Sequence, residues 1–114
     1  WEQQPAPFRA LPLPSLALHM HDTYGTALAN VLAGLEAGVR TFDASAAGVG
    51  GCPFARSATG NLATDDLVWM LDGMGVHTGV DLDALTDASA WLSTALARPT
   101  PSRVARALSA KEHA

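Results

Sequence analysis

The chain has 114 residues, the length of one ordinary domain, and its 48% hydrophobic and 16% charged residues exclude an intrinsically disordered protein. Eleven acidic residues against seven basic ones leave a formal net charge of −4, which provides no basic surface for nucleic acid. A single cysteine excludes an internal disulfide, and with no apolar stretch of about 18 residues and no signal segment the sequence predicts a soluble, intracellular protein without a membrane partner.

Strands and helices alternate in the first half of the predicted structure. Four prolines in residues 1–14 predict an irregular lead-in. The apolar run from Leu16 to His21 is typical of a buried strand, and the spacing of the apolar residues that follow predicts a helix over residues 26–37, ended by Gly38. Residues 39–45 are rich in β-formers and predict a second strand.

Helices follow a glycine-rich loop that is predicted over residues 48–61. Thr64 is the expected cap of the next helix, whose first turn would carry two aspartates near its positive end and which would stop at the glycines of residues 73–75. A further helix is predicted over residues 82–97, and a last short one over residues 103–110.

The apolar faces of these helices predict which side chains are buried. The expected buried residues are Leu67, Val68, Leu71 and Met74 in the first of them, and Leu85, Leu92 and Leu96 in the helix that Asp81 would cap. Trp69 and Trp91 fall within helices and are expected to be packed.

This order of elements predicts parallel β/α units. Two strands are too few for a parallel sheet, which needs further neighbours and cover on both faces. The chain also opens on Trp1 rather than methionine. The sequence therefore predicts one part of a larger α/β protein.

Two histidines on the first predicted strand are candidates for a functional site. His19 and His21 are two residues apart, so the alternation of a strand points both imidazoles to one side. Imidazoles at that spacing can ligate one divalent metal ion, whereas a strand histidine also occurs as a core residue with satisfied hydrogen bonds. Asp22 follows directly and is either an orienting partner of a ligand or a turn residue.

Asn61 carries the hard oxygen donor that Mg²⁺ and Mn²⁺ accept, although an asparagine after a glycine also suits a turn. With His19 and His21 it would form a ligand set for six-coordinate Mg²⁺ or Mn²⁺ rather than for tetrahedral zinc. A rival set of His19, His21, Cys52 and His77 suits zinc by ligand type but lacks the close cysteine pair of structural zinc modules.

Cys52 is the only cysteine in the chain, and it lies between Gly51 and Pro53 without the apolar neighbours of a core cysteine. A thiol beside a metal cation would exchange its proton readily, whereas a single glycine-flanked cysteine outside that context is incidental. The residues alone leave both interpretations open.

Together these segments resemble the 3-hydroxy-3-methylglutaryl-CoA lyase family. The resemblance runs from about residue 16 to residue 108 and is carried by LALHMHDTYGTALANVLAGLEAGVRTFDAS and AAGVGGCPFARSATGNLATDDLVWMLDGMGVHTGVDL. Within them an HxHDTYG element, a GxGGCP loop and a GN-x-ATxD segment follow one another in the family's order. The cysteine of GGCP favours the lyases over the related isopropylmalate and homocitrate synthases, which share the HxHD and GN elements.

The resemblance implies an α/β fold that is the C-terminal part of a (β/α)₈ barrel, with HMH on the seventh strand, FDAS on the eighth and the active site at the C-terminal strand ends. It implies metal-assisted cleavage of 3-hydroxy-3-methylglutaryl-CoA to acetyl-CoA and acetoacetate. His19, His21 and Asn61 would ligate Mg²⁺ or Mn²⁺, and Cys52 would be the catalytic proton donor on a mobile loop. The remaining metal carboxylate and a substrate-binding arginine would lie on a first strand that this chain does not contain.

On this basis residues 1–15 are the lead-in, residues 16–75 the last two β/α units, and residues 76–114 the C-terminal helices of one barrel domain. The expected partner is an acyl-CoA substrate, in a cytoplasmic enzyme (mitochondrial matrix in a eukaryote) that is a homo-oligomer at full length. Two alternatives stay open: an inactive fragment or association module, and a related 3-hydroxyacyl-CoA lyase or Claisen-type synthase.

Overall fold

A computed structural model describes residues 11–52 and 55–112 of the chain, and two parallel strands carry its candidate site. β1 (Ala17–His19) and β2 (Thr41–Asp43) pair in register, so that the first and the last residues of the two strands lie opposite each other. α1 (Ala27–Glu36) joins the strands, because parallel neighbours need a crossover connection. The predicted parallel β/α unit is confirmed, with both strands shorter than predicted.

α1 packs closely on this pair of strands through Gly34. A Cβ atom at that position would lie 2.5 Å from Cδ1 of Leu18 and 3.3 Å from Cε1 of Phe42, so any larger residue would require the side chain of Leu18 to shift. The helix ends as predicted at Gly38, which has a positive φ of 103°. The buried hydrophobic cluster to which α1 contributes comprises Ala27, Val31, Leu62, Leu67 and Leu71.

The glycine-rich segment contains a short hairpin. β3 (Gly51–Cys52) and β4 (Ala55–Thr59) are antiparallel, with Gly51 opposite Thr59 and an irregularity between Gly51 and Cys52. The prediction of a loop throughout residues 48–61 is wrong here, because these residues lack the alternation of apolar and polar side chains that indicates a strand.

Residues 60–63 return from the hairpin across the carboxyl ends of both parallel strands. The N–H of Leu62 donates to the carbonyl of Met20 at 3.2 Å, just beyond β1, and its carbonyl accepts from the N–H of Ser45 at 2.9 Å, just beyond β2. This crossing places the hairpin and its return segment at the strand ends where the predicted site residues lie.

α2 (Thr64–Gly73) begins directly after this crossing. Its N-cap is Ala63, so the predicted cap, Thr64, is already the first helical residue and makes no side-chain cap bond. Asp65 and Asp66 occupy the first turn as predicted, but they are 0% and 9% exposed rather than solvated. Their carboxylates bond other parts of the chain instead of the N-terminus of their own helix.

Two further helices complete the described part of the chain. Asp81 caps α3 (Leu82–Ala95) as predicted, its Oδ1 accepting from the N–H of Ala84 at 3.0 Å. α4 (Arg103–Glu112) runs two residues beyond its predicted end. Ser102 precedes it, and its hydroxyl accepts from the Ala105 N–H at 3.0 Å.

Asp66 joins α2 to the start of α4. Its Oδ1 accepts from the hydroxyl of Ser102 at 2.7 Å and from the N–H of Val104 at 3.0 Å. Because Ser102 is fully buried, this contact is shielded from water.

The predicted packing of the helices is partly wrong. α3 buries Thr86 and Ser89, and the predicted Leu85 and Leu92 are half-buried beside them. Leu96, which follows the helix, is 49% exposed. This helix contacts the turn at residues 46–48, and small side chains permit such an approach. Met74 is 45% exposed, and Trp69 and Trp91, which were expected to be packed, are 53% and 71% exposed.

Parts of the predicted lead-in and C-terminus cannot be compared. Residues 1–10 and His113 lie outside the described residues, whereas Leu13–Ser15 form a 3₁₀ turn. Among the helices that the structure describes, none is both long and apolar enough to span a bilayer.

Candidate active site

The two histidines of the first strand converge at its carboxyl end. His19 is the last residue of β1, and His21 lies two residues further along, so both side chains point to one side. Their Nε2 atoms are 3.1 Å apart, and the ring centroids are 5.0 Å apart with an interplanar angle of 64°. The predicted pairing of these imidazoles is therefore present.

Asp43 orients His19 from the neighbouring strand. It lies opposite His19 in the register of β1 and β2, and its Oδ1 contacts Nδ1 of that imidazole. A carboxylate only accepts hydrogen bonds, so this contact favours the His19 tautomer with its proton on Nδ1, in which the Nε2 lone pair faces Nε2 of His21. This residue was not predicted, because only the register of two parallel strands shows that positions 24 apart meet.

The donor set fits a divalent cation. Two ligand atoms at right angles around an ion, each about 2.1 Å away, lie about 3.0 Å apart. Tetrahedral ligands at about 2.05 Å would lie about 3.3 Å apart. The two Nε2 atoms are 3.1 Å apart, so their separation suits two ligands of one ion in either geometry. A carboxylate that holds the far nitrogen of a ligating histidine is a common support of metal sites.

Asn61 reaches the same end of the sheet from the return segment. It forms an isolated antiparallel bridge with His21. Its Nδ2 donates to the carbonyl of Val49 at 3.0 Å, and a Cβ atom at Gly50 would lie only 2.5 Å from that nitrogen. Since the amide nitrogen is bonded to the chain, Oδ1 is the atom left to accept from or ligate another group.

Asp22 has a local partner. Its Oδ1 accepts from the N–H of Ala27, the first residue of α1, at 3.1 Å. This bond favours the turn interpretation of Asp22 over an orienting role at a metal ligand.

Cys52 is the last residue of β3, in the hairpin whose return segment carries Asn61. The N–H of Gly60 donates to the carbonyl of Gly50 at 3.2 Å, which joins the two arms of the hairpin close to both residues. The thiol itself lies outside the described part of the structure, so its role stays a prediction.

The rival zinc set is not assembled. His77 lines a cavity with Arg40 and Thr41, at the amino end of β2, whereas His19 lies at the opposite, carboxyl end of the two strands. Within residues 11–52 and 55–112, no three His, Cys, Asp or Glu residues are grouped to hold a metal ion.

Comparisons with known proteins assign the chain to a family. A sequence profile described as HMGL-like matches residues 8–92, more than half of the chain. The chain belongs to the HMGL-like family. Among proteins similar to this HMGL-like chain, the human mitochondrial hydroxymethylglutaryl-CoA lyase is 55% identical over 102 residues, which are 90% of this chain and 31% of the human protein.

Solved structures agree with the assignment to the HMGL-like family. The hydroxymethylglutaryl-CoA lyase from Pseudomonas aeruginosa is 50% identical with a TM-score of 0.88, over 90% of this chain and 34% of that one. An HMG-CoA lyase from Acinetobacter baumannii, solved in complex with coenzyme A and 3-methylmalate, is 47% identical with a TM-score of 0.80, over 88% of this chain and 33% of that one.

The HMGL-like chain spans about a third of the length of these relatives. The predicted fold class, the C-terminal part of a (β/α)₈ barrel, is confirmed by the family and structural matches. The predicted boundaries between lead-in, β/α units and C-terminal helices stay predictions.

Proposed function

We propose that this chain carries the metal-binding and proton-donating residues of a 3-hydroxy-3-methylglutaryl-CoA lyase active site. The observation that carries the proposal is the convergence of the His19 and His21 Nε2 atoms, 3.1 Å apart, at the carboxyl end of a parallel strand. Active sites of (β/α)₈ enzymes lie at that end of their strands. The more than 50% identity to curated lyases supports the same reaction.

His19, His21 and the Oδ1 atom of Asn61 would hold Mg²⁺ or Mn²⁺, since two imidazoles and an amide oxygen suit six-coordinate ions. When bound, the ion acts as a Lewis acid toward substrate oxygens. Asp43 keeps the Nε2 lone pair of His19 available by bonding Nδ1. The hydrogen bond from Nδ2 of Asn61 to the carbonyl of Val49 orients the amide and keeps its Oδ1 available as a ligand.

Cys52 would supply the proton that ends the reaction. A water molecule takes the substrate's hydroxyl proton, and the electron pair of that O–H bond forms the new carbonyl bond. The adjacent carbon–carbon bond breaks, and its electron pair goes to the thioester α-carbon of acetyl-CoA as an enolate. That carbon takes the proton of the Cys52 Sγ, and solvent then returns the hydroxyl proton to the thiolate. The new carbonyl belongs to acetoacetate, so atoms and charge balance.

The proposed substrate class is an acyl-CoA thioester. The Acinetobacter baumannii lyase structure contains coenzyme A, and the relatives' names specify hydroxymethylglutaryl-CoA. A related 3-hydroxyacyl-CoA substrate is the alternative. The animal and plant relatives are named as mitochondrial, and we propose a cytoplasmic location for this chain, or the mitochondrial matrix in a eukaryote. We also propose that the full-length enzyme is a homo-oligomer.

A chimera tests the catalytic proposal. Replacing the matching third of the Pseudomonas aeruginosa lyase with this chain should give an enzyme that forms acetoacetate from 3-hydroxy-3-methylglutaryl-CoA with Mg²⁺ or Mn²⁺. Cys52→Ala in the chimera should lower kcat by about a hundredfold or more, because general acid catalysis has that magnitude.

The same chimera separates the alternatives. Cys52→Ser keeps the side chain's shape but offers a far weaker acid, so it should be nearly as slow as the alanine variant. Mn²⁺ affinity should change less than twofold in either variant. A folded chimera that binds Mn²⁺ but cleaves no substrate, beside an active parent enzyme, would favour the association module. Faster cleavage of a longer-chain 3-hydroxyacyl-CoA would favour the related lyase.

Metal titration tests the ligand set without any turnover. His19→Ala in the 114-residue chain should weaken Mn²⁺ binding about tenfold or more in isothermal titration. His77→Ala is the matched control, because that exposed histidine lies at the other end of the strands. An equal loss from both substitutions would contradict the proposed ligand set.

A further inference from the structure

The turn Ala46–Gly48 is held by side chains from two distant parts of the chain. Ala47 is fully buried and has a left-handed φ of 58°. Its N–H donates to Oδ2 of Asp65 at 2.9 Å, and its carbonyl accepts from the Thr100 hydroxyl at 2.8 Å. These partners lie 18 and 53 residues further along the chain. Because a non-glycine residue rarely adopts this conformation, the surrounding contacts must hold it.

Thr100 is itself placed by its neighbours. Its Oγ1 also accepts from the N–H of Ser102 at 3.1 Å, so the hydroxyl both donates and accepts. The next residue, Pro101, packs against the turn, since a Cβ atom at Gly48 would lie 3.0 Å from its Cγ. Thr100 and Pro101 therefore both contact the turn, at the wall of a cavity of about 130 Å³.

The turn leads directly into the candidate site. Val49 follows it, and the carbonyl of Val49 accepts from Nδ2 of Asn61 at 3.0 Å. One residue later the carbonyl of Gly50 accepts from the N–H of Gly60 at 3.2 Å. A displacement of the turn would move the Val49 carbonyl, and the amide of Asn61 would lose the partner that orients its oxygen.

We propose that Thr100 is a positioning residue for Asn61, an inference that rests on the function proposed above for Asn61. The Thr100 hydroxyl holds the Ala47 carbonyl, and this bond fixes the turn from which Val49 reaches the Asn61 amide. In the described part of the chain Thr100 does not contact the two histidines, and its path to Asn61 runs through the backbone of residues 47–49.

Amide hydrogen exchange of Thr100→Val tests the first step. Valine keeps the shape of threonine and removes the hydroxyl, so the amides of Ala47, Gly48, Val49 and Gly60 should exchange about fivefold faster, the effect of one lost hydrogen bond. Amides in α1 should keep their rates. A uniform acceleration across the chain would show general destabilisation and would overturn the proposal.

Two further variants sharpen this result. Thr100→Ser retains the hydroxyl and should restore the exchange rates to within twofold of the unchanged chain. Thr94→Val is the matched control, because Thr94 also donates its hydroxyl to a backbone carbonyl, that of Ala90 at 3.1 Å, but within α3. Acceleration at Val49 and Gly60 in either variant, to the extent seen in Thr100→Val, would contradict the proposal.

Mn²⁺ titration tests the second step. Thr100→Val should weaken Mn²⁺ binding about fivefold, while Thr100→Ser and Thr94→Val leave it unchanged. Unaltered affinity in Thr100→Val would overturn the link to Asn61. If the unchanged chain binds no Mn²⁺, the same variants are titrated in the Pseudomonas aeruginosa chimera, which supplies the rest of the barrel. A chimera that binds no Mn²⁺ would refute the proposed function instead, and the exchange pattern still decides whether Thr100 holds the turn.

A measurement on the unchanged chain covers the case in which Thr100→Val does not fold. Hydrogen exchange at rising urea concentrations groups amides that open together. The amides of Ala47, Val49 and Ser102 should share one opening free energy if Thr100 joins their segments. Opening of Ser102 independently of Ala47 would overturn the proposal.

Discussion

Replacing Ser102 with alanine should lower the free energy of unfolding by about 3 kcal/mol, because one hydroxyl makes two buried contacts. It accepts from the N–H of Ala105 at 3.0 Å, which caps α4, and donates to Oδ1 of Asp66 at 2.7 Å. Losing a cap costs about 1 kcal/mol, and losing a hydrogen bond to a charged group costs about 1.5–3 kcal/mol. Asp66 keeps the hydrogen bond that it accepts from the N–H of Val104, so its carboxylate retains one partner in the variant.

Urea unfolding followed by circular dichroism measures this difference, provided that the m-value stays constant. Asp81→Ala is the matched control, since Oδ1 of Asp81 caps α3 with a bond of the same 3.0 Å length but from an exposed position. It should cost about 1 kcal/mol. The excess of Ser102→Ala over Asp81→Ala, about 2 kcal/mol, is the contribution of the buried contact with Asp66. Equal losses from the two substitutions would refute this reasoning.

Three further predictions concern backbone conformation and metal binding. Ala97 has a left-handed φ of 51°, so Ala97→Gly should stabilise the chain by about 0.5–1 kcal/mol in urea unfolding. Gly25 has a φ of 76° and open space around it, so Gly25→Ala should destabilise the chain by about 1 kcal/mol. Gly50→Ala would press a Cβ atom against Nδ2 of Asn61 and should weaken Mn²⁺ binding. In the control Gly51→Ala, the new Cβ atom would have nothing within 4 Å, and binding should be unchanged. Similar Mn²⁺ affinities of the two variants in calorimetry would contradict the placement of Asn61. Mn²⁺ at about a hundred times its Kd should raise the free energy of unfolding by about 2.7 kcal/mol, and EDTA should remove this gain. An unchanged urea midpoint would argue against a metal site in the folded chain.

The regular elements were predictable because their sequence patterns are local. Apolar spacing in α1 and α2 indicates the helical period, and Gly38 marks the end of α1. The hairpin of β3 and β4 was not predictable from alternation, since its pairing joins Gly51 to Thr59 through the backbone. The buried face of α3 was predicted only in part, because Leu85 and Leu92 are half-buried beside the buried small residues, whereas Leu96 lies beyond the end of the helix and is exposed.

The candidate site was also only partly predictable from the sequence. The pairing of His19 with His21 follows from the two-residue period of a strand and is visible in the sequence. Asp43 was missed, because its contact with His19 depends on the register of two strands. The first-turn aspartates of α2 were predicted as favourable charges at a helix end, whereas their partners lie in segments that only the tertiary structure brings together.

The long sequence separation of these contacts determines when the site can form during synthesis. The bond between Thr100 and Ala47 spans 53 residues, and the bond between Ser102 and Asp66 spans 36. β1 and β2 are both synthesised before residue 100, so the register that brings the two histidines together uses no residue of that later segment. The left-handed turn and the orientation of Asn61 must wait for that later segment. Nascent chains halted before residue 100 should therefore contain the histidine pair but not the complete ligand set.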